Sequence, residues 1–152
     1  MLNFTCKSFE ELSLEELYEI MKIRQDVFVV EQDCPYLDAD GKDQKGWHLI
    51  GRDEDHEMVA YTRLLPKGVS YDEYPSIGRV LTTEKIRRNG SGKLLMNVSI
   101  EWMKKLFGNT AIKIGAQCYL EKFYQSFGFE PEGEPYLEDG IPHVIMVRPK
   151  QG

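Results

Sequence analysis

The residues best suited to chemistry lie together in one turn, Arg87-Arg88-Asn89-Gly90-Ser91-Gly92-Lys93. An apolar, β-forming run, Ile77–Thr82, precedes it, and a helical pattern follows, with Leu94, Leu95, Val98, Trp102 and Leu106 on one face. A glycine-containing turn that opens a helix aims several backbone N–H groups at one point. The helix dipole adds positive potential there, so anions, phosphates above all, are favoured. Arg87, Arg88 and Lys93 add side-chain charge. Two familiar phosphate sites are excluded by spacing. A P-loop needs G-x-x-x-x-G-K-S/T, whereas Lys93 is followed by Leu94; a dinucleotide turn needs a third glycine at position 95, which is leucine. What remains is Arg-x-x-Gly-x-Gly after a strand.

The elements that must position this turn are readable in outline. Asn3–Phe9 reads as a first strand. Ser13 and Glu16 form a capping box for a helix, with Leu12 able to staple onto Leu17. Its apolar positions Leu14, Leu17, Ile20, Met21, Val27 and Phe28 keep helical spacing, with a break after Arg24, and it ends in Phe28-Val29-Val30-Glu31-Gln32. Asp33–Gly46 reads as a solvated polar loop. Its Asp38-Ala39-Asp40-Gly41-Lys42-Asp43 run is not a calcium loop, because the twelfth position is Leu49 where a glutamate is needed. Trp47–Arg52 and Glu57–Leu65 are strands joined by a turn at Asp53–His56. After the long helix Gly108 is placed to cap its C-terminus. Ala111–Gln117 is a buried strand, Tyr119–Phe127 a short helix, and Glu132–Leu137 and Val144–Arg148 a closing pair of strands. Helices alternating with strands, and hairpins at both ends, predict one α/β domain built on a mixed sheet with helices on both faces.

Composition narrows the class of partner. The chain has 152 residues, enough for one domain with a proper core. A formal net charge of −6 makes a general nucleic-acid binder a poor reading and suits a neutral or cationic small substrate. Three cysteines without C-x-x-C pairing argue against a disulfide framework or zinc ribbon, and no metal is expected. With no signal-like segment and no membrane-length apolar run, a cytoplasmic protein is expected, without membrane partners.

Arg87-Arg88-Asn89-Gly90-Ser91-Gly92 resembles the pyrophosphate loop of the GNAT (Gcn5-related N-acetyltransferase) family, R/Q-x-x-G-x-G/A. Phe123-Tyr124-Gln125-Ser126-Phe127-Gly128-Phe129 resembles that family's second signature. The likeness is closer to the ElaA-type branch, carried by Val27-Phe28-Val29-Val30-Glu31-Gln32, Cys34-Pro35-Tyr36, Ile77-Gly78-Arg79-Val80, Gly115-Ala116-Gln117 and Glu138-Asp139-Gly140-Ile141-Pro142-His143. Together these span nearly the whole chain.

The resemblance implies a GNAT fold: a single twisted sheet of six to seven strands, with a splay between the parallel strands Ile77–Thr82 and Ala111–Gln117. It implies acetyl-CoA as cosubstrate, its pantetheine arm along Val80, Leu81 and Thr82 and its pyrophosphate on the N–H groups from Arg88 to Lys93. Direct transfer to the primary amine of a small molecule or peptide is the implied reaction. That needs a neutral amine, oxyanion stabilisation by an N–H near Leu81 or Thr82, and a proton for the leaving thiolate. Tyr124 resembles the family's proton donor. The base is open among Glu31, His48, His143 and water, with His48 more readily read as packed. Glu31 either binds a cationic amine or pairs with Arg24 or Arg79; Arg79 either binds a substrate carboxylate or pairs with Glu31. Gln117 stands in for the asparagine frequent at that strand end. A nucleophilic Cys118 is the weaker reading against a small buried cysteine. Subunits paired as a homodimer are compatible with the resemblance. The rival function is an acyl-CoA-binding sensor or interaction module without turnover.

Overall fold

The computed structural model describes all 152 residues. Seven strands and three α-helices alternate: β1 (Asn3–Ser8), α1 (Leu14–Arg24), β2 (Trp47–Arg52), β3 (Met58–Leu65), β4 (Ser76–Thr82), α2 (Ser91–Phe107), β5 (Ile112–Gln117), α3 (Glu121–Gln125), β6 (Glu130–Glu138) and β7 (Ile141–Arg148). The expected strands and splay are present, and the splay divides the strands into two antiparallel sheets, β1-β2-β3-β4 and β5-β7-β6. Near their N-terminal ends β4 and β5 are tied by a backbone bond from Lys113 N–H to the Pro75 carbonyl, 3.1 Å. Beyond it they part, and the gap between them is the floor of a cleft.

Local sequence explains the helices that flank this gap. At α1 the capping box forms as read: Ser13 Oγ accepts from Glu16 N–H at 3.0 Å and Glu16 Oε1 accepts from Ser13 N–H at 2.8 Å. The helix does not break after Arg24. It widens into a π-helical segment, Gln25–Glu31, a form found often at functional sites. Ile20, Ile23 and Val27 pack with Ile50, Met58, Tyr61 and Leu81 on one face of the first sheet, while Leu14 is exposed. On the opposite face α2 buries Leu95 against Leu49, Val59 and Ala60. It also presents Met96 and Met103 to a larger core with Phe129 and with Ile112, Ile114, Val144 and Met146 of the second sheet. Truncating one such side chain costs about 2–5 kcal/mol. Thus α2 is the element that clamps both sheets, and its N-terminus is held where they diverge. Gly108 ends it with φ +83. The short helix is tighter than expected at its start, with a 3₁₀ turn over Cys118–Leu120 before α3.

The loop read as solvated is the main correction. Asp38 and Asp43 are buried. Arg24, with no exposed surface, donates from Nε to Asp38 Oδ2 at 2.8 Å and from Nη1 to Asp43 Oδ1 at 2.6 Å. Arg63 on β3 bridges Asp40 and Asp43, at 2.8 and 2.9 Å. Asp38, Asp40 and Asp43 of this loop meet three arginines, on α1, β3 and β4.

Candidate active site

One cleft of about 790 Å³ runs along the splay and reaches from the glycine turn to the β6–β7 hairpin. Glu31, Arg79, Val80, Leu81, Thr82, Arg87, Gly92, Gln117, Tyr124 and His143 all line it. Arg88, Asn89, Gly90, Ser91 and Lys93 shape the turn without lining the cleft, and His48 lies outside it.

The free edge of β4 is made by a bulge. Pairing with β3 slips between Tyr61 and Arg63, so Arg79 and Val80 together stand opposite Thr62. A bulge bends its strand and leaves backbone unpaired. Arg79 takes φ +49, an uncommon state for a side-chain-bearing residue, with a cost of about 1–3 kcal/mol. Asp38 holds it there, accepting from Arg79 Nε at 2.8 Å and, through its carbonyl, from Nη2 at 2.9 Å. Arg79 therefore pairs with Asp38 and Asp40, not with Glu31. Beyond the bulge, Thr83 N–H donates to the Val59 carbonyl at 2.9 Å. One step back on an antiparallel ladder, residue 82 turns its own N–H and carbonyl outward. The Thr82 carbonyl accepts from Arg87 Nε and Nη2, at 3.0 and 2.8 Å. The remaining Arg87 nitrogen, Nη1, pairs with Glu31, which thus meets neither Arg24 nor Arg79. One guanidinium ties the π-helical segment, the end of β4 and the glycine turn together.

The turn itself has two residues of positive φ, Arg88 (+70) and Gly90 (+84). The first intrahelical bond of α2 runs from Leu94 N–H to the Gly90 carbonyl, 3.1 Å, and no side chain caps the helix. Ser91 Oγ instead donates to Asn89 Oδ1 at 2.5 Å. The N–H groups of Ser91, Gly92 and Lys93 consequently have no intrahelical acceptor. Gly90 is required by its φ. Gly92 is not: a Cβ there would meet nothing closer than the Phe123 ring at 3.8 Å, an ordinary contact. The space at Gly92 is open to the cleft. An extended edge ending at an uncapped helix start, with a glycine where a ligand would approach, fits the pantetheine and pyrophosphate of coenzyme A.

Tyr124 enters from α3. Its ring packs edge-on to Phe123 and Phe129 at 5.2 and 6.1 Å, and the residue is 7% exposed. The tyrosine hydroxyls bonded within the protein are those of Tyr36 and Tyr61; that of Tyr124 is free. Burial, then the neighbouring Tyr119, raises its pKa, so the phenol stays protonated at neutral pH.

His143 opens β7 opposite Gln117 of β5. Its Nδ1 lies 2.7 Å from the Ile141 carbonyl. A carbonyl only accepts, so Nδ1 carries the hydrogen and the neutral ring presents Nε2 as an acceptor. Nε2 is 3.6 Å from Glu138 Oε2, and the ring lies against Tyr136, centroids 5.9 Å apart. His48 has both nitrogens engaged, by the Tyr61 hydroxyl at 2.6 Å and the Asp43 carbonyl at 3.0 Å. Its burial lowers its pKa, and it serves packing. Cys118 is a half-buried free thiol after β5.

Sequence reasoning passed over Tyr71 and Tyr136, which also line the cleft. The available signal was Gly115, a glycine in mid-strand.

The model of the acetyltransferase (GNAT) domain matches residues 15–149. Protein ElaA of Escherichia coli is 45% identical over 150 residues, covering 97% of each chain. Among solved structures, an acyl-CoA N-acyltransferase from Pseudomonas aeruginosa superimposes with a TM-score of 0.92 at 38% identity, covering 97% of this chain and 99% of that one. E. coli ElaA does so with a TM-score of 0.90 at 41% identity, over the same shares. The matched span, residues 15–149, includes the glycine turn and the residues named above on the cleft walls. The chain belongs to the GNAT acetyltransferase family, on the branch that ElaA represents.

Proposed function

We propose that the protein is an acetyl-CoA-dependent N-acetyltransferase that moves the acetyl group directly to a primary amine of a small molecule or peptide. The observation that supports this reading is that the Tyr124 phenol and the imidazole of His143, with Nδ1 held by the Ile141 carbonyl, line one cleft beside an edge and helix start suited to coenzyme A.

Bound there, the thioester supplies an activated acyl carbon. Val80 and Thr82 offer backbone groups to the pantetheine, and Ser91 to Lys93 offer N–H groups to the pyrophosphate. An N–H near Leu81 or Thr82 stabilises the charge that develops on the carbonyl oxygen. His143 Nε2 takes the proton of the attacking amine as the new carbon–nitrogen bond forms. Tyr124 delivers its phenolic proton to the departing sulfur as the carbon–sulfur bond breaks. Glu31 is held by Arg87 and so braces the cleft wall rather than serving as base. Since transfer is direct, Cys118 has no nucleophilic part.

Tyr124→Phe tests the reading. Removing a positioned acid lowers kcat by about 10²-fold or more, while acetyl-CoA affinity by calorimetry is unchanged because the hydroxyl bonds nothing in the resting protein. Free-thiol release across an amine panel is the measurement. Equal turnover in the mutant would remove Tyr124 from the acid role. Acetyl-CoA binding with no thiol release for any amine would turn the reading towards a binding module.

A further inference from the structure

Over β5, where the β3–β4 connection and β6 meet the cleft, Tyr71 and Tyr136 have hydroxyls that the protein leaves unsatisfied. Gly115 shows why this wall is shaped as it is. A Cβ at that position would sit 3.0 Å from the Tyr136 hydroxyl and 3.5 Å from the Tyr71 hydroxyl. The two hydroxyls converge over one backbone position, and neither is among the tyrosine hydroxyls bonded within the protein. Both stay protonated. Burial, then Tyr136 and Glu138, pushes Tyr71 up to about 12, and burial, then Glu138 and Cys118, raises Tyr136. Glu138 thus influences both phenols and also lies 3.6 Å from His143 Nε2.

The cations around this wall have partners already, Lys42 donating to Ser70 Oγ at 3.1 Å. Arg63 and Arg79 are held by Asp38, Asp40 and Asp43. Lys113 is held by Glu132 at 3.2 Å and by the rings of Tyr71 and Tyr74. On this wall a ligand meets the Glu138 carboxylate, the His143 Nε2 nitrogen and two neutral O–H donors. The first two suit an ammonium group. The hydroxyls need an oxygen acceptor, and an acceptor molecule lacking one would strip them of water with nothing in return.

We propose that Tyr71 and Tyr136 are specificity-determining residues that hold an oxygen of the acceptor, and that the acceptor is a primary amine with a hydroxyl or carbonyl oxygen on the neighbouring carbon. This rests on the acyl-transfer reading above. It places the amine between Glu138 and His143 and the oxygen over Gly115.

The test uses matched amines: propylamine, its isostere 2-aminoethanol, glycinamide and glycine. Each is assayed with acetyl-CoA for wild type, Tyr71→Phe, Tyr136→Phe and the double variant. Each loss of a hydroxyl leaves no protein group unpaired, so the variants keep their fold. In wild type, kcat/KM for an oxygenated amine exceeds that for propylamine by about tenfold or more. Each single variant reduces that preference by about 3- to 10-fold, and the double variant abolishes it. KM for acetyl-CoA does not move, and kcat/KM for propylamine does not fall, since the desolvation cost goes with the hydroxyl. Preference for 2-aminoethanol identifies a hydroxyl source; preference for glycinamide or glycine identifies a carbonyl one. Propylamine acetylated as well as every oxygenated amine, or a preference indifferent to both tyrosines, overturns the assignment. If no amine is acetylated, calorimetry with the same amines decides. Binding of an oxygenated amine that the double variant loses supports the subsite while overturning transfer, and no binding by any of them overturns both.

Discussion

Gly92 separates two reasons for a glycine. Gly90 has φ +84, and any side chain there is strained whatever surrounds it. Gly92 has room within the protein for a side chain, since the Phe123 ring is 3.8 Å from its Cβ position. Gly92→Val is therefore expected to leave the unfolding midpoint within about 0.5 kcal/mol of wild type, while weakening acetyl-CoA binding by at least about tenfold. Calorimetric affinity beside a urea melt reads both. Unchanged affinity would detach the turn from the pyrophosphate. Single residues differed greatly in how much of their role the sequence carried. Tyr124 and the glycines stood out because a short motif fixes their chemistry. The partners of Arg87 and Glu31 did not, because each lies 56 positions from the other and no local pattern encodes the meeting. The tautomer of His143 likewise depends on a carbonyl only the folded turn supplies.

Among elements, the loop between α1 and β2 departs furthest from its sequence reading. A run rich in aspartate, glycine and lysine looks solvated when nothing says that arginines converge on it. The hint lay in Arg63 and Arg79, each a charge within an otherwise apolar strand; Arg24, between Lys22 and Asp26, gave none. Elements set by local chemistry were legible: the capping box of α1, the Gly108 stop of α2, and the alternation of β5. The π-helical widening after Arg24 and the β4 bulge were not, because both answer to distant partners. Arg24→Met is expected to destabilise the fold by about 3–5 kcal/mol, because it takes from each of buried Asp38 and Asp43 one of its two arginine partners. A urea titration measures it, and a loss near zero would mean that the loop tolerates apolar packing in place of the ion pairs. Arg24 itself lies outside the cleft, so whatever activity is lost should follow the fraction unfolded.

At the scale of the molecule, the cleft exists because two sheets are held apart, and different forces hold its two walls. The second sheet leans on α2 and α3 through an apolar core. The first is braced by the aspartate loop, whose charges connect α1, β3 and β4. The walls should therefore respond differently to acid. Burial works to raise Asp40, but its bonds to Arg63 and the charges of Arg63 and Arg79 prevail and lower it from 3.8 to about 2. Asp43 is lowered in the same way, burial being outweighed by Arg24 and Arg63. For a carboxylate whose folded pKa lies below its unfolded one, the unfolded state binds protons first. Its stabilisation is complete above about pH 4 and disappears as the pH falls towards 2. Stability measured by urea midpoint should thus hold at neutral pH and decline steeply over that window. Asp40→Asn should start lower at pH 7 and fall less steeply, since the mutant no longer has that proton to take up. Parallel curves for the two proteins would show that the brace carries no net electrostatic stabilisation. The apolar wall has no such dependence, so acid should first loosen α1 and the aspartate loop. Hydrogen exchange near pH 3 would then show faster exchange in α1 than in β5 and β7.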